Sequence, residues 1–304
     1  MLVTGERAAF HGKPAAAVAA LEQAVALARS QGRAAETTAA GWLLGVALGA
    51  GGRYGGALTV LSPLVDAGRV PGAGAEARLF AALSAATIAS VHRQLGRHPV
   101  ARASDLEALV LGEGSAEATF DAVLGLASDA VGLGDVGEAT DRLAEARRLI
   151  PARAGEWWRQ RVRLGWGEAE VQLLEGDPEA AVQTALEAVD RAEGARAPRH
   201  VAKGLLILGL AQVSGGIAVD MGGDGEPAGT LRRAATLAES LGTLPLVWPA
   251  RALLGALVAE DDPDESARSL SAARSAVLVL ADDLPPGVRA EFLSRPDLAA
   301  LLQG

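Results

Sequence analysis

Apolar and small residues recur along this chain at helical spacing, and short breaks rich in Gly, Pro or acidic residues separate the periodic runs. Between residues 14 and 30, Val18, Leu21 and Val25 fall three and four apart, with Leu27 close behind and a stop at Gly32. That spacing puts apolar side chains on one face of a helix. The same reading predicts helix pairs over about 34–50 and 54–67, 75–95 and 99–111, 116–132 and 136–150, and 154–175 and 178–193. A sixth pair begins at about 198–213 and is interrupted by the long break from Gly215 to Gly225. A seventh covers about 246–260 and 264–281, and a final short helix runs beyond Pro285-Pro286 to Leu302. Thr4 to Phe10 reads as the last part of a first helix, from a half-repeat cap or a longer chain. Gly68 to Gly74, Gly112 to Ser115 and Pro151 read as loops.

The break inside each pair is itself a repeated object. Gly134-Asp135-Val136-Gly137-Glu138-Ala139 reads as a tight helix-to-helix turn. Gly134 is suited to the left-handed conformation that ends one helix, and Asp135 to starting the next. Gly12 leading to Ala17, Gly52 to Ala57, Gly96 to Ala101 and Gly176 to Ala181 repeat it; Gly225 to Thr230 and Asp261 to Ser266 are degenerate copies. The intervals of 40, 44, 38, 42, 49 and 36 residues mark an α-helical repeat array. Seven residues before the turn glycine stand Gly45, Ala89, Ala127 and Ala169; twelve residues after it stand Ala24, Ala108, Ala146 and Ala188. Small residues at fixed offsets belong where helix backbones approach closely.

A small residue, a turn glycine and two alanines at these offsets resemble the tetratricopeptide repeat (TPR), over nearly the whole chain. The aromatic positions of that repeat are mostly unfilled and the period exceeds its usual ~34 residues. The pattern is therefore similar to the longer, Ala-rich TPR-like arrays of large bacterial transcriptional regulators of the MalT and LuxR-type ATPase kind. The ending, Leu284-Pro285 through Arg295-Pro296-Asp297, resembles the closing segment of those arrays. The resemblance implies an all-α, right-handed solenoid of about seven helix pairs with a short C-terminal capping helix, forming a single domain over 1–304. It also implies a binding protein: a regulatory or scaffolding module that takes a protein or peptide partner in its concave groove, or a small-molecule effector-sensing domain. The regulators' ATPase would need a Gly-x-x-x-x-Gly-Lys-Ser/Thr loop. Neither Lys13 nor Lys203 has that glycine spacing, and no basic helix-turn-helix is present.

Composition narrows the partners. Half of the residues are hydrophobic but only 3% are aromatic, so the core is built from Ala, Leu and Val. The chain has no cysteine, which removes disulfides and thiolate zinc sites. A net charge of −9 argues against direct nucleic-acid binding, which uses a basic face. No run of ~18 apolar residues could span a bilayer, and the N-terminus has no secretory pattern. A cytoplasmic protein without membrane attachment is expected. Two lysines and no asparagine suggest a high-GC bacterial source and exclude the lysine–asparagine clamp by which some TPR proteins grip chaperone C-termini.

Candidate chemistry is sparse. His11, His92, His98 and His200 lack ligand spacing and read as surface or groove histidines rather than metal ligands. Asp261-Asp262-Pro263-Asp264-Glu265 matches the Asp-Asp-x-x-Asp/Glu run that holds magnesium and diphosphate in helical terpene cyclases. It falls in a repeat turn, however, where acidic residues favour the following helix N-terminus. Asp220, Asp224 and Glu226 loosely suggest a calcium loop but lack EF-hand spacing. No catalytic residue, metal or cofactor is therefore expected. The run Trp157-Trp158-Arg159-Gln160-Arg161-Val162-Arg163-Leu164-Gly165-Trp166 places Trp158, Val162 and Trp166 on one stripe and Arg159 and Arg163 on another. In TPR-like arrays the first helix of each pair lines the groove. Carrying its face across by offset from the turn glycines points to Trp42, Val46, Ser90, Arg93, Asp121, Leu124, Ser128, Arg163, Trp166 and Glu170. Of these, Trp42, Arg93, Asp121, Ser128, Arg163, Trp166 and Glu170 are the candidate binding residues, a mix of flat aromatics, charged groups and hydroxyls.

Overall fold

A computed structural model of the chain describes residues 2–151, 157–219 and 225–303. The described residues form sixteen α-helices and no strands. The Ala- and Leu-rich sequence favours this outcome, since these residues lose little freedom in a helix. Contacts group the residues into two compact units, Met1–Gln160 and Arg161–Gly304. The first carries α1 (Leu2–His11), α2 (Pro14–Ser30), α3 (Ala34–Gly51), α4 (Tyr54–Arg69), α5 (Ala75–Gln94), α6 (His98–Leu111), α7 (Ala116–Leu133) and α8 (Val136–Leu149). Helix α9 (Trp158–Leu174) follows. The second unit contains α10 (Pro178–Gly194), α11 (Pro198–Gly215), α12 (Pro227–Leu241), α13 (Leu244–Leu257), α14 (Pro263–Asp282), α15 (Pro286–Leu293) and α16 (Pro296–Gln303).

Local chemistry sets these boundaries. Proline opens α2, α10, α11, α12, α14 and α15, where its missing N–H costs nothing. The turn glycines Gly52, Gly96, Gly134 and Gly176 all have φ between 74° and 88°, the left-handed region in which a side chain is strained. The carboxylates of Asp135, Asp177 and Asp262 accept from the amides of Glu138, Ala180 and Glu265, capping α8, α10 and α14.

The recurring small residues lie in the interior. Ala17, Ala57, Ala101, Ala139 and Ala181, five residues after the turn, have no exposed surface. Ala89, Ala127 and Ala169, seven before it, are equally enclosed. In the last degenerate copy, Ser266 is buried and its hydroxyl donates to the Gly255 carbonyl at 2.7 Å, so the polar atom is satisfied across α13 and α14.

Within each unit most helices pack on their sequence neighbours, and a second set of contacts skips one helix. In the first unit α1 meets α3, α3 meets α5 and α5 meets α7; in the second, α11 meets α13. Several even-numbered helices are tied to one another by ion pairs. Arg69 of α4 holds Glu107 of α6 (2.6 and 2.8 Å), and Arg102 of α6 holds Glu138 of α8 (3.0 and 2.7 Å). Arg233 of α12 reaches Glu193 of α10 (2.6 Å), and Arg232 of α12 holds Glu265 of α14 (2.7 and 2.6 Å). Partly solvated pairs of this kind contribute ~0.2–1 kcal/mol each.

Three expectations need correction. Gly68 is not in a loop: α4 continues to Arg69, and Gly68 is buried where α4 and α5 touch. The final helix is two, α15 and α16, because Pro296 has no N–H to continue α15 and its ring clashes with the preceding turn. His92 and His200 are buried, not surface residues. The expected start of α9 at 154 lies outside the described residues. So do Asp220 and Asp224 of the suggested calcium loop.

Candidate functional site

The first unit presents four of the candidate residues on its odd-numbered helices. Trp42 of α3 is half-buried; its Nε1–H donates to the Thr87 hydroxyl of α5 at 3.2 Å, and its ring lies 6.0 Å from Phe80. Ser128 of α7 turns its hydroxyl onto the Leu124 carbonyl at 3.0 Å. Asp121 of α7 is buried and accepts from Arg159 at 3.0 Å, while the Arg159 guanidinium sits 4.8 Å over the Phe10 ring of α1. Alongside, His11 lies 5.2 Å from Trp158, and Phe120 meets Trp157 edge-on at 6.0 Å. The end of α1, the middle of α7 and the start of α9 thus converge on one aromatic and charged cluster.

Arg93 of α5 belongs to a second cluster. Its Nη1 donates to the Asp105 carboxylate of α6, to Asp129 Oδ2 of α7 at 3.2 Å and to the Gly125 carbonyl at 3.2 Å. The other Asp129 oxygen, Oδ1, meets His98 Nδ1 at 3.2 Å. Asp105 and Asp129 have no exposed side-chain surface. Burial disfavours the Arg93 charge, but the two carboxylates outweigh it and hold the guanidinium above its usual range. Burial also dominates at Asp105 and pushes its carboxyl up to about 7, against the pull of Arg93.

In the second unit the candidates sit on α9. Trp166 is buried and stacks on His200 of α11, centroids 5.5 Å apart and planes 22° from parallel. The Lys203 ammonium stands 4.9 Å from the Trp166 ring centroid and 4.0 Å from the Glu170 carboxylate. A positive charge on an indole face adds ~0.5–1 kcal/mol where solvated and more where dry. Arg163 and Glu170 are half-buried. Near the start of α10, Asp177, Glu179, Ala180, Val182, Gln183 and Ile217 line a cavity of about 460 Å³. None of the seven candidates lines it.

The sequence pattern did not show which groups these residues meet. Asp105, Asp129, His98, Arg159, Phe10, His200 and Lys203 complete the clusters, and each lies on a different helix from the residue it serves or far away in sequence. Only the pair His200 and Lys203, three apart on one helix, left a local signal. Arg159 is half-buried, held by the Asp121 carboxylate with its guanidinium over the Phe10 ring.

Neither a known protein family nor a curated protein matches this chain. Among the described residues no group of three or more His, Asp or Glu side chains is arranged to hold a metal ion. No described helix is long and apolar enough to cross a membrane. In the Asp261–Glu265 run, Asp262 caps α14 and Glu265 is engaged by Arg232.

Proposed function

We propose that this chain is a TPR-like right-handed solenoid of about seven helix pairs, capped by short C-terminal helices, that acts by binding and carries no catalysis of its own. Its occupant is a protein or peptide partner in a concave groove made by the odd-numbered helices, in the manner of the cytoplasmic regulator arrays its sequence resembles. The observation that supports this reading is the skipping contact pattern within each unit: α1, α3, α5 and α7 pack in succession in the first, and α11 packs on α13 in the second. Trp42 and Ser128 in the first unit, and separately Arg163 and Glu170 in the second, are the partly accessible residues assigned to binding; Arg93, Asp121 and Trp166 are held by partners of their own.

A second reading, a small-molecule effector-sensing domain, is favoured by the Phe10–Arg159–Asp121 cluster. There a guanidinium, a carboxylate and an aromatic ring come together, the kinds of group that orient a small ligand. One experiment separates the readings: affinity capture from host lysate beside a thermal-shift titration with metabolites, on wild type and Arg163→Ala/Glu170→Ala. A captured protein that the double variant loses supports the partner reading. A thermal shift with a metabolite and no captured protein transfers support to the sensor. Binding unchanged in the double variant removes α9 from the site.

A further inference from the structure

Two buried carboxylates share a single guanidinium where α5, α6 and α7 meet. Asp129 is fully engaged, one oxygen by Arg93 and the other by His98. Asp105 is engaged at Oδ2 alone; Oδ1 is buried with no hydrogen-bond partner. The backbone of α7 is cut away to admit these groups. A Cβ at Gly125 would overlap the Asp105 carboxylate, and one at Gly132 would overlap the His98 ring. A single guanidinium, that of Arg93, serves both carboxylates, so a proton on Asp105 relieves the repulsion between them. An ionised Asp105 has no side-chain surface in contact with water and one oxygen without a hydrogen-bond partner, a costly state.

We propose that the Arg93–Asp105–Asp129–His98 cluster is a proton-operated lock on the α5–α6–α7 junction, closed by a proton on Asp105 and loosened when that proton leaves. The charged groups facing Asp105 are Arg93 from α5 and Asp129 and Asp121 from α7; Asp121 is itself paired with Arg159. On the outer side, Arg102 of α6 is taken up by Glu138 of α8.

The burial-raised carboxyl at about 7 puts the release of the lock near neutral pH. For a carboxyl whose folded value lies above its unfolded one, the stabilising contribution is present in acid and is lost as pH rises through the folded value. The test is hydrogen exchange of the α6 amides in the full chain, corrected for intrinsic rates, at about pH 6 and about pH 8.5. Linkage to a group titrating near 7 gives a loss of protection of about tenfold in wild type. Asp105→Asn, which mimics the protonated form, should change less than about twofold, whereas His98→Gln should keep the loss. Wild-type protection that does not change with pH overturns the proposal, and needs no variant to be folded. So does a loss that survives in Asp105→Asn or disappears in His98→Gln, which would put the operative proton on the imidazole.

Discussion

Gly68 offers a sharp test of how the helices are packed. It lies inside α4, buried, and a Cβ built on it would overlap the Ala81 Cβ of α5 outright; the Ala77 carbonyl oxygen stands only 3.4 Å away. Ordinary carbon contacts are ~3.5–4.0 Å. Ala81 has no exposed surface and no rotamer, so the clash can be relieved only by moving one helix away from the other. In Gly68→Ala two effects oppose. Alanine is a better helix former than glycine by ~1 kcal/mol. Overpacking a tight contact costs ~1–3 kcal/mol, and the fixed backbone here places the cost at the upper end. The net expectation is a loss of about 1–2 kcal/mol, a fall in Tm of roughly 2–8 °C for a cooperative unit of this size. The companion variant Gly194→Ala, at the exposed end of α10 with nothing within 4 Å, gains helix propensity without a clash and should not lower the midpoint. Thermal unfolding followed by far-UV circular dichroism reads both. If Gly68→Ala melts at or above wild type, the close approach of α4 and α5 is refuted.

Further outcomes follow from the same geometry. Gly134→Ala adds a side chain in open space but at φ 74°, so its cost is conformational alone, about 1 kcal/mol by denaturant midpoint. Asp262→Ala removes the acceptor for the Glu265 amide and should cost about 1 kcal/mol, with Asp262→Ser recovering most of it. If magnesium with a prenyl diphosphate stabilises wild type but not Asp262→Asn, and diphosphate is released, the run is a metal site after all and the non-catalytic reading fails. Glu138 and Glu265 are held below the ordinary carboxylate range by hydrogen bonds from Arg102 and Arg232. Their contribution is present above the unfolded carboxylate value and is lost as pH falls through the lower folded values. With Asp105 acting in the opposite sense, a pH series of melting temperatures should peak on the acid side of neutral and decline in both directions. A midpoint that rises steadily from pH 6 to 9 contradicts this.

The parts of the fold legible in the sequence are those settled within a few residues. A glycine in the left-handed region ends a helix, an Asp caps the next, and a proline fits the first turn; Gly134, Asp135 and Pro178 announce themselves without knowledge of what surrounds them. The alanines at fixed offsets were legible as buried for a related reason: repetition supplies the context that one copy lacks. What could not be read was the identity of the group across an interface. Gly68 stands just before a run of Pro and Gly and looks like part of a break, yet its role is set by Ala81, thirteen residues on.

The same limit hid the buried charges. An aspartate in an Ala-rich helix reads as solvent-facing, because burial of an unpaired carboxylate is costly. Asp105 and Asp129 are buried because Arg93, twelve and thirty-six residues away, reaches both. A trace of this arrangement does exist in α7. Gly125, Asp129 and Gly132 fall four and then three apart, so they line one helix face, and two of the three lack a side chain. A buried helix gives up packing and backbone order for each such glycine. A face that does so twice around an acid is shaped to receive polar groups from its neighbour, and here the neighbour delivers Asp105 against Gly125 and His98 against Gly132. Where the recurring buried offsets hold mostly alanine, that Gly–Asp–Gly face is the local departure in the sequence.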